Sequence, residues 1–312
     1  MGSRVYDGTI MLDDLYTIKA VAMKEDYNNS DVMTYQVPYL YAAPKLMLAE
    51  EGRLEEGVNF YGLSNEKELT ITGSLNTEDF GVLRQMKGLE SLNLTKAIPA
   101  GKTLADGALS GMNLKVVHLP AAVQTVGQRL LAECGQLSAV IWNAGTIPVG
   151  ALAGINNPNL LLYVILEAFA ANAKLDGINN IIMNGHAEQI TLSDVSEGNN
   201  DFYCPQTFTV ETMSYTHDYQ MQTGIHECRG WETIALPFDV QTVTHETWGE
   251  LTPAAINDPA KPLYWLYEYS EDGFVPAASI AANTPYIISM PNNPTYSNEY
   301  NLSGKLTLVL AM

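Results

Sequence analysis

The tightest set of residues able to coordinate or move a proton is His226-Glu227-Cys228. On a strand, His226 and Cys228 share one face and Glu227 takes the other. Two ligands fall short of the three or four that a zinc ion takes from protein, so the set reads as structural. His245-Glu246 offers less, and Asp13-Asp14 and Glu50-Glu51 read as solvated pairs. The chain has no G-x-S-x-G, H-E-x-x-H, P-loop, EF-hand loop or dinucleotide glycine fingerprint. Asp and Glu are abundant, yet no spacing singles out a catalytic pair. The expectation is no catalytic residue, no metal ligand and no cofactor.

Two other groupings could bind rather than react. In Tyr264-Trp265-Leu266-Tyr267-Glu268-Tyr269, strand geometry puts Trp265, Tyr267 and Tyr269 on one face. Exposed, such a stripe stacks on sugar rings; buried, it is sheet core, which aromatic residues favour. The second grouping comes from a repeat. The template L-x-x-L-x-L fits Leu89/Leu92/Leu94, Leu114/Val117/Leu119, Leu137/Val140/Trp142 and Leu160/Tyr163/Ile165, with a degenerate copy at Glu66/Leu69/Ile71. The starts, 66, 89, 114, 137 and 160, are 23, 25, 23 and 23 residues apart. Each copy is a short strand followed by a turn or helical piece, such as Thr77–Met86 or Gly127–Cys134. One unit cannot bury its own apolar edge, so the units must stack. Between the core positions lie Ser91/Asn93, Val116/His118, Ala139/Ile141 and Leu162/Val164, a column facing the open side of the sheet. It becomes more apolar along the chain. Either it meets a partner or another part of the chain, such as Glu167–Lys174, covers it.

These elements sit in a chain of 312 residues, enough for two or three domains. Hydrophobic residues make up 46% and charged ones 16%, the balance of a folded, core-bearing protein. The net charge is −19, and residues 200–312 alone carry 3 basic against 13 acidic side chains. Such a field repels phosphate backbones and anionic lipid, so nucleic-acid partners are not expected. The longest apolar run, Leu160–Leu166, is far short of a membrane span. Met1-Gly2-Ser3 reads as a cloning remnant, and no export signal stands at the start. The three cysteines, Cys134, Cys204 and Cys228, have no CxxC spacing; Cys204 and Cys228 either pair or remain buried thiols.

Residues 114–137, LKVVHLPAAVQTVGQRLLAECGQL, resemble the BspA-like leucine-rich repeats of bacterial surface proteins. Leu119-Pro120, Val126-Gly127 and Cys134 match that family's pattern. The Asn or Cys of better-known leucine-rich repeats is replaced by Ala97, Ala122 and Gly145, so no asparagine ladder forms. Tyr16–Val37 resembles the second half of a chitobiase C-terminal-like, Ig-like module. Residues 200–312 resemble the β-rich module that often follows such repeats, on Trp231–Asp239 and Asn283–Ile288. Within it, Ile234, Leu236 and Phe238 alternate with polar or small residues, and Pro237 marks an edge or bulge. Leu263–Tyr269 and Tyr286–Met290 read as further strands.

The expected fold is mainly β with short helices: a leucine-rich-repeat-like solenoid followed by an antiparallel β-sandwich. Its expected domains are an Ig-like remnant with linker over 1–45, the solenoid over 46–199 and the sandwich over 200–312. The resemblance implies a non-enzymatic protein at the bacterial cell surface, engaged in adhesion or protein binding with a protein or host-matrix ligand. A glycan-binding accessory module is the alternative. The candidate binding residues are Val116, His118, Ala139, Ile141, Leu162 and Val164 on the repeats, and Trp265, Tyr267 and Tyr269 on the stripe.

Overall fold

The computed structural model describes residues 10, 12–23, 28–165, 175, 177–195, 198–224, 229–271, 273–295 and 301–311. Among these residues the chain is mainly β, with two α-helices and twenty-two strands. It divides into two compact units, residues 1–156 with 162–177 and residues 157–161 with 178–312.

The first unit runs β1 (Thr17–Ala20), β2 (Met33–Gln36), β3 (Tyr39–Ala42), β4 (Lys45–Leu48), α1 (Leu54–Tyr61), β5 (Glu68–Leu75), α2 (Thr77–Gln85), β6 (Ser91–Asn93), β7 (Ala97–Pro99), β8 (Thr103–Leu104), β9 (Val116–His118), β10 (Thr125–Val126) and β11 (Ala139–Trp142), with β12 (Leu161–Val164) at its margin. Strands β4, β5, β6, β9 and β11 lie side by side in parallel, and β3 adds antiparallel at the edge. The register pairs Glu68 with Ser91, Ser91 with Val116 and Val116 with Ala139, offsets of 23, 25 and 23 residues. One row therefore carries Leu69, Leu92, Val117 and Val140, all buried, and Leu94, Leu119 and Trp142 are fully buried beyond it. The last copy is looser, since Leu160 and Tyr163 are buried but Ile165 is exposed.

The turns after these strands are bonded to one another as well. Gly107, Leu109 and Leu131 donate backbone hydrogen bonds to the carbonyls of Gln128, Leu130 and Ala151. Gly127 and Gly145 are required by that close approach. A Cβ at Gly127 would collide with the backbone of Ala105 and Asp106, and one at Gly145 with the Gln124 carbonyl. The Val-Gly step thus has a steric cause. Residues 77–85 form α2 much as expected, but Gly127–Cys134 is a run of turns: Arg129 and Glu133 take positive φ, which no helix accommodates.

Asp79, at the third position of α2, is buried and accepts from the amides of Asn76, Gly52 and Leu54. With Asn76 it completes a capping box, and it also holds the first turn of α1, whose own N-cap, Arg53, makes no capping bond.

The strand pairing and the two compact units cut across both expected boundaries. β1 and β2 form an isolated antiparallel ribbon that is almost wholly exposed. The following hairpin β3–β4 crosses the expected boundary at 45 and pairs onto β5, so it belongs with the repeat sheet. The expected boundary at 199/200 falls inside the second unit, because β14 (His186–Ser193), placed in the solenoid, pairs along its length with β15 (Thr209–Tyr219).

The second unit consists of β13 (Asn180–Met183), β14, β15, β16 (Glu232–Ile234), β17 (Thr242–His245), β18 (Gly249–Pro253), β19 (Leu263–Ser270), β20 (Gly273–Pro276), β21 (Tyr286–Ser289) and β22 (Gly304–Ala311). One sheet runs β13-β14-β15-β22-β17-β18; the other runs β16-β21-β19-β20. The pairing is mixed rather than wholly antiparallel, since β14–β15 and β18–β19 are parallel. Ile234, Leu236 and Phe238 are buried and their neighbours outside; the ladder with β21 ends at Ile234, and beyond it the Leu236 carbonyl accepts from the Asn283 amide. Three buried asparagines stitch the loops. Asn157 donates to the Asp201 carbonyl, Asn159 to those of Ser193 and Asn200, and Asn180 to those of Pro158 and Thr191.

Candidate functional site

Strand β19 decides which way the aromatic stripe faces. Tyr264 and Leu266 are each 2% exposed, and Leu266 pairs with Ile288 at 0%, so this side is the packed one. By strand alternation Trp265, Tyr267 and Tyr269 take the other side, where the first two are half-buried and Tyr269 is 70% exposed. The stripe is therefore not the core. The core positions of this strand are Tyr264 and Leu266.

Other elements extend the aromatic face. Trp231, one residue before β16, lies near-parallel to Trp265, with centroids 6.0 Å apart and 24° between planes. Trp231 also meets Tyr267 edge-on at 5.6 Å, and Phe274 of β20 meets Tyr269 edge-on at 5.6 Å. The strand between, β21, contributes Ile287 opposite Tyr267 and the small Ser289 opposite Trp265. Tyr286 and Ile288, the neighbours of Ile287, are buried on the packed side. Five aromatic rings thus gather on the outer side of one sheet.

The repeat column has the opposite fate. Val116, Ala139, Ile141, Leu162 and Val164 are buried, between 0% and 7% exposed, and only His118 is half-buried. They present no open apolar surface: apolar side chains this numerous would otherwise hold a large patch against water. Burial holds the His118 imidazole below its ordinary range. Glu167–Lys174 lies outside the described residues.

A polar cluster unremarked in the sequence joins the two sheets of the second unit. His217 of β15 holds its Nδ1 2.6 Å from Asp194 Oδ2 and its Nε2 2.7 Å from Glu232 Oε2 on β16. The second contact is out of line for a hydrogen bond and is a close approach only. Tyr215 donates its hydroxyl to Asp194 Oδ2 at 2.7 Å, and burial followed by that bond pushes its phenol above the ordinary range. Tyr219, ringed by the same groups, is driven up chiefly by burial. The legible signal was Tyr215-x-His217-x-Tyr219, three polar rings on one strand face. Each nitrogen of His217 lies against a carboxylate, so the cluster links β15 to Asp194 and to Glu232 of β16.

His245 is likewise structural. Its Nδ1 accepts from the amides of Thr247 and Trp248, and its Nε2 lies 3.1 Å from the Ser303 carbonyl. His226, Glu227 and Cys228 lie outside the described residues, and with them the pairing of Cys204. Cys134 is a buried thiol that donates to the Leu109 carbonyl, and burial raises its pKa. Among the described residues no group of three or more His, Cys, Asp or Glu is placed to hold a metal ion. No helix among them is long and apolar enough to cross a membrane.

Compared with protein-family models and with curated proteins, the chain matches none.

Proposed function

We propose that the chain is a non-enzymatic binding protein of the bacterial cell surface that takes up glycans on the aromatic face of its second unit. The observation that carries the reading is the orientation of β19: Trp265, Tyr267 and Tyr269 lie on the side away from the packed Tyr264 and Leu266. Sugars offer flat C–H faces, and rigid aromatic rings meet them at little entropic cost. The 3 basic and 13 acidic residues of 200–312 favour neutral over anionic glycans.

In this reading the first unit is a solenoid of BspA-like repeats, supported by the 23, 25 and 23-residue register and the turn-to-turn bonds. It serves as a spacer. The second unit is the β-sandwich, its two sheets pinned by His217. Adhesion to a protein or host-matrix ligand through the repeat column is the weaker reading, because the apolar members of that column are buried.

A glycan array probed with the whole protein and with Trp265→Ala tests the proposal. Retention on neutral glycans that is lost in Trp265→Ala supports it. Retention on none, or retention unchanged in the variant, overturns it.

A further inference from the structure

One polar side chain lies among the rings of the aromatic face. Ser289 of β21 stands opposite Trp265 in the register with β19, so both take the outer side of the sheet. On the other flank β16 pairs Glu232 with Ile288 and Thr233 with Ile287. The same register carried one residue back sets Trp231 opposite Ser289. Trp231, Ser289 and Trp265 thus form one row across the sheet, with the serine in the middle.

Elsewhere this side is open, with Thr233 exposed, yet Ser289 is 0% exposed. Its cover is the indole pair. Two strand spacings, about 9–10 Å, separate the backbones of Trp231 and Trp265, and their ring centroids lean to within 6.0 Å over the serine. Beneath them Ser289 Oγ has no hydrogen-bond partner among the described residues. Buried hydroxyls are nearly always paired, and an orphan is costly. Such a group on the floor of an aromatic face points to a ligand that supplies its partner.

We propose that Trp231 and Trp265 are the jaws of a clamp that takes one ring of a neutral glycan edgewise, a ring hydroxyl pairing with Ser289 Oγ at the floor. This assignment rests on the reading of the aromatic face as a glycan site, and it names the point on that face that selects the ligand. A ring held between two indoles needs about 7–8 Å, twice the contact distance of carbon atoms. The jaws therefore part by about 1–2 Å from their 6.0 Å approach. A pyranose suits the slot, with C–H groups on both faces for the indoles and hydroxyls around its edge for the serine. A wholly apolar ring leaves Ser289 unpaired, and an anionic one meets the acidic field of residues 200–312.

The test is calorimetric titration of the whole protein with cellotetraose, laminaritetraose, mannotetraose, xylotetraose and chitotetraose. At least one should saturate. Its Kd should rise about tenfold in Ser289→Ala, the worth of one hydrogen bond, and by at least that in Trp231→Ala. The Tm of ligand-free Ser289→Ala should be unchanged or higher, because the change removes a buried orphan and no bond. A merely structural serine gives the opposite pattern, a lower Tm or an unfolded variant with Kd unmoved where it can be read, and overturns the proposal. A Kd unchanged in folded Trp231→Ala overturns it too, since one ring then suffices; if that variant does not fold, Ser289→Ala decides. Saturation by none of the five up to about 10 mM is equally fatal. The array separates these failures from failure of the face itself. Retention lost in Trp265→Ala while Ser289→Ala and Trp231→Ala bind as the parent leaves a glycan face without a clamp, and retention on no glycan removes both.

Discussion

Trp231 and Trp265 come within 6.0 Å of each other from strands that are not neighbours, reaching across β21 where it carries Ser289. A larger residue at 289 would hold the two rings apart. The aromatic face is thus assembled by sheet order, with one small residue setting its closest contact.

That contact is measurable. Trp231→Ala and Trp265→Ala, alone and together, form a double-mutant cycle read by chemical denaturation. The coupling energy should be about 0.5–1.5 kcal/mol, the worth of an aromatic pair beyond its buried area. A coupling indistinguishable from zero would mean that the rings do not rest on each other.

Ile141→Asp should collapse the fold. Ile141 is 3% exposed, and an aspartate there is a buried carboxylate without a partner. A fall of many degrees in Tm, or loss of soluble protein, is the expected outcome. A Tm unchanged within error would instead mean that the column is open and would restore it as a partner surface. Leu119→Ala, fully buried in the repeat core, should cost about 2–5 kcal/mol by the ordinary cavity mechanism.

Asp79 predicts a larger effect than a helix cap alone. Asn76→Ala removes one cap and should cost about 1 kcal/mol. Asp79→Ala removes the acceptor of three amides, two of them outside its own helix, and should cost more, with each buried orphan worth about 1–3 kcal/mol. Urea denaturation of both variants ranks them, and the reverse order would sink the shared-cap account.

These residues also mark how far the sequence could be read. The strand positions of the repeats were legible because period and apolar type coincide: Leu92, Val117 and Val140 recur at one register and share one core row. The glycine steps were visible as a pattern, and their cause, the backbone of the preceding turn, emerges only from the stacking. The orientation of β19 was not legible. Tyr264-Trp265-Leu266-Tyr267 places aromatic residues on both sides, so alternation alone cannot say which side is packed. The burial of Ile141 was hidden for a related reason: a strand buried on both faces has no alternation to read. His217 met its carboxylates from Asp194 and Glu232 only once three distant segments had folded together, a proximity that no local spacing encodes.

His118 gives the pH dependence its sign. Its folded-state pKa is lowered by burial, while in the unfolded chain it titrates near 6.5. As pH falls through that value the unfolded chain takes up the proton first, so the unfolded state binds more protons and stability declines with falling pH. The contribution is therefore complete above about pH 6.5 and is lost below it, until the folded chain protonates as well. Glu90 adds a loss of the same sign at lower pH. Its hydrogen bonds to Lys67, then Lys115, hold its carboxyl below the usual range, so its contribution fades only as that carboxyl is protonated. Replacing His118 by Gln separates the two: the melting temperature should fall less between about pH 7.5 and 5.5 than in the parent. Parallel curves across the upper window would show that the His118 imidazole is as well solvated folded as unfolded, against its half-buried place on β9.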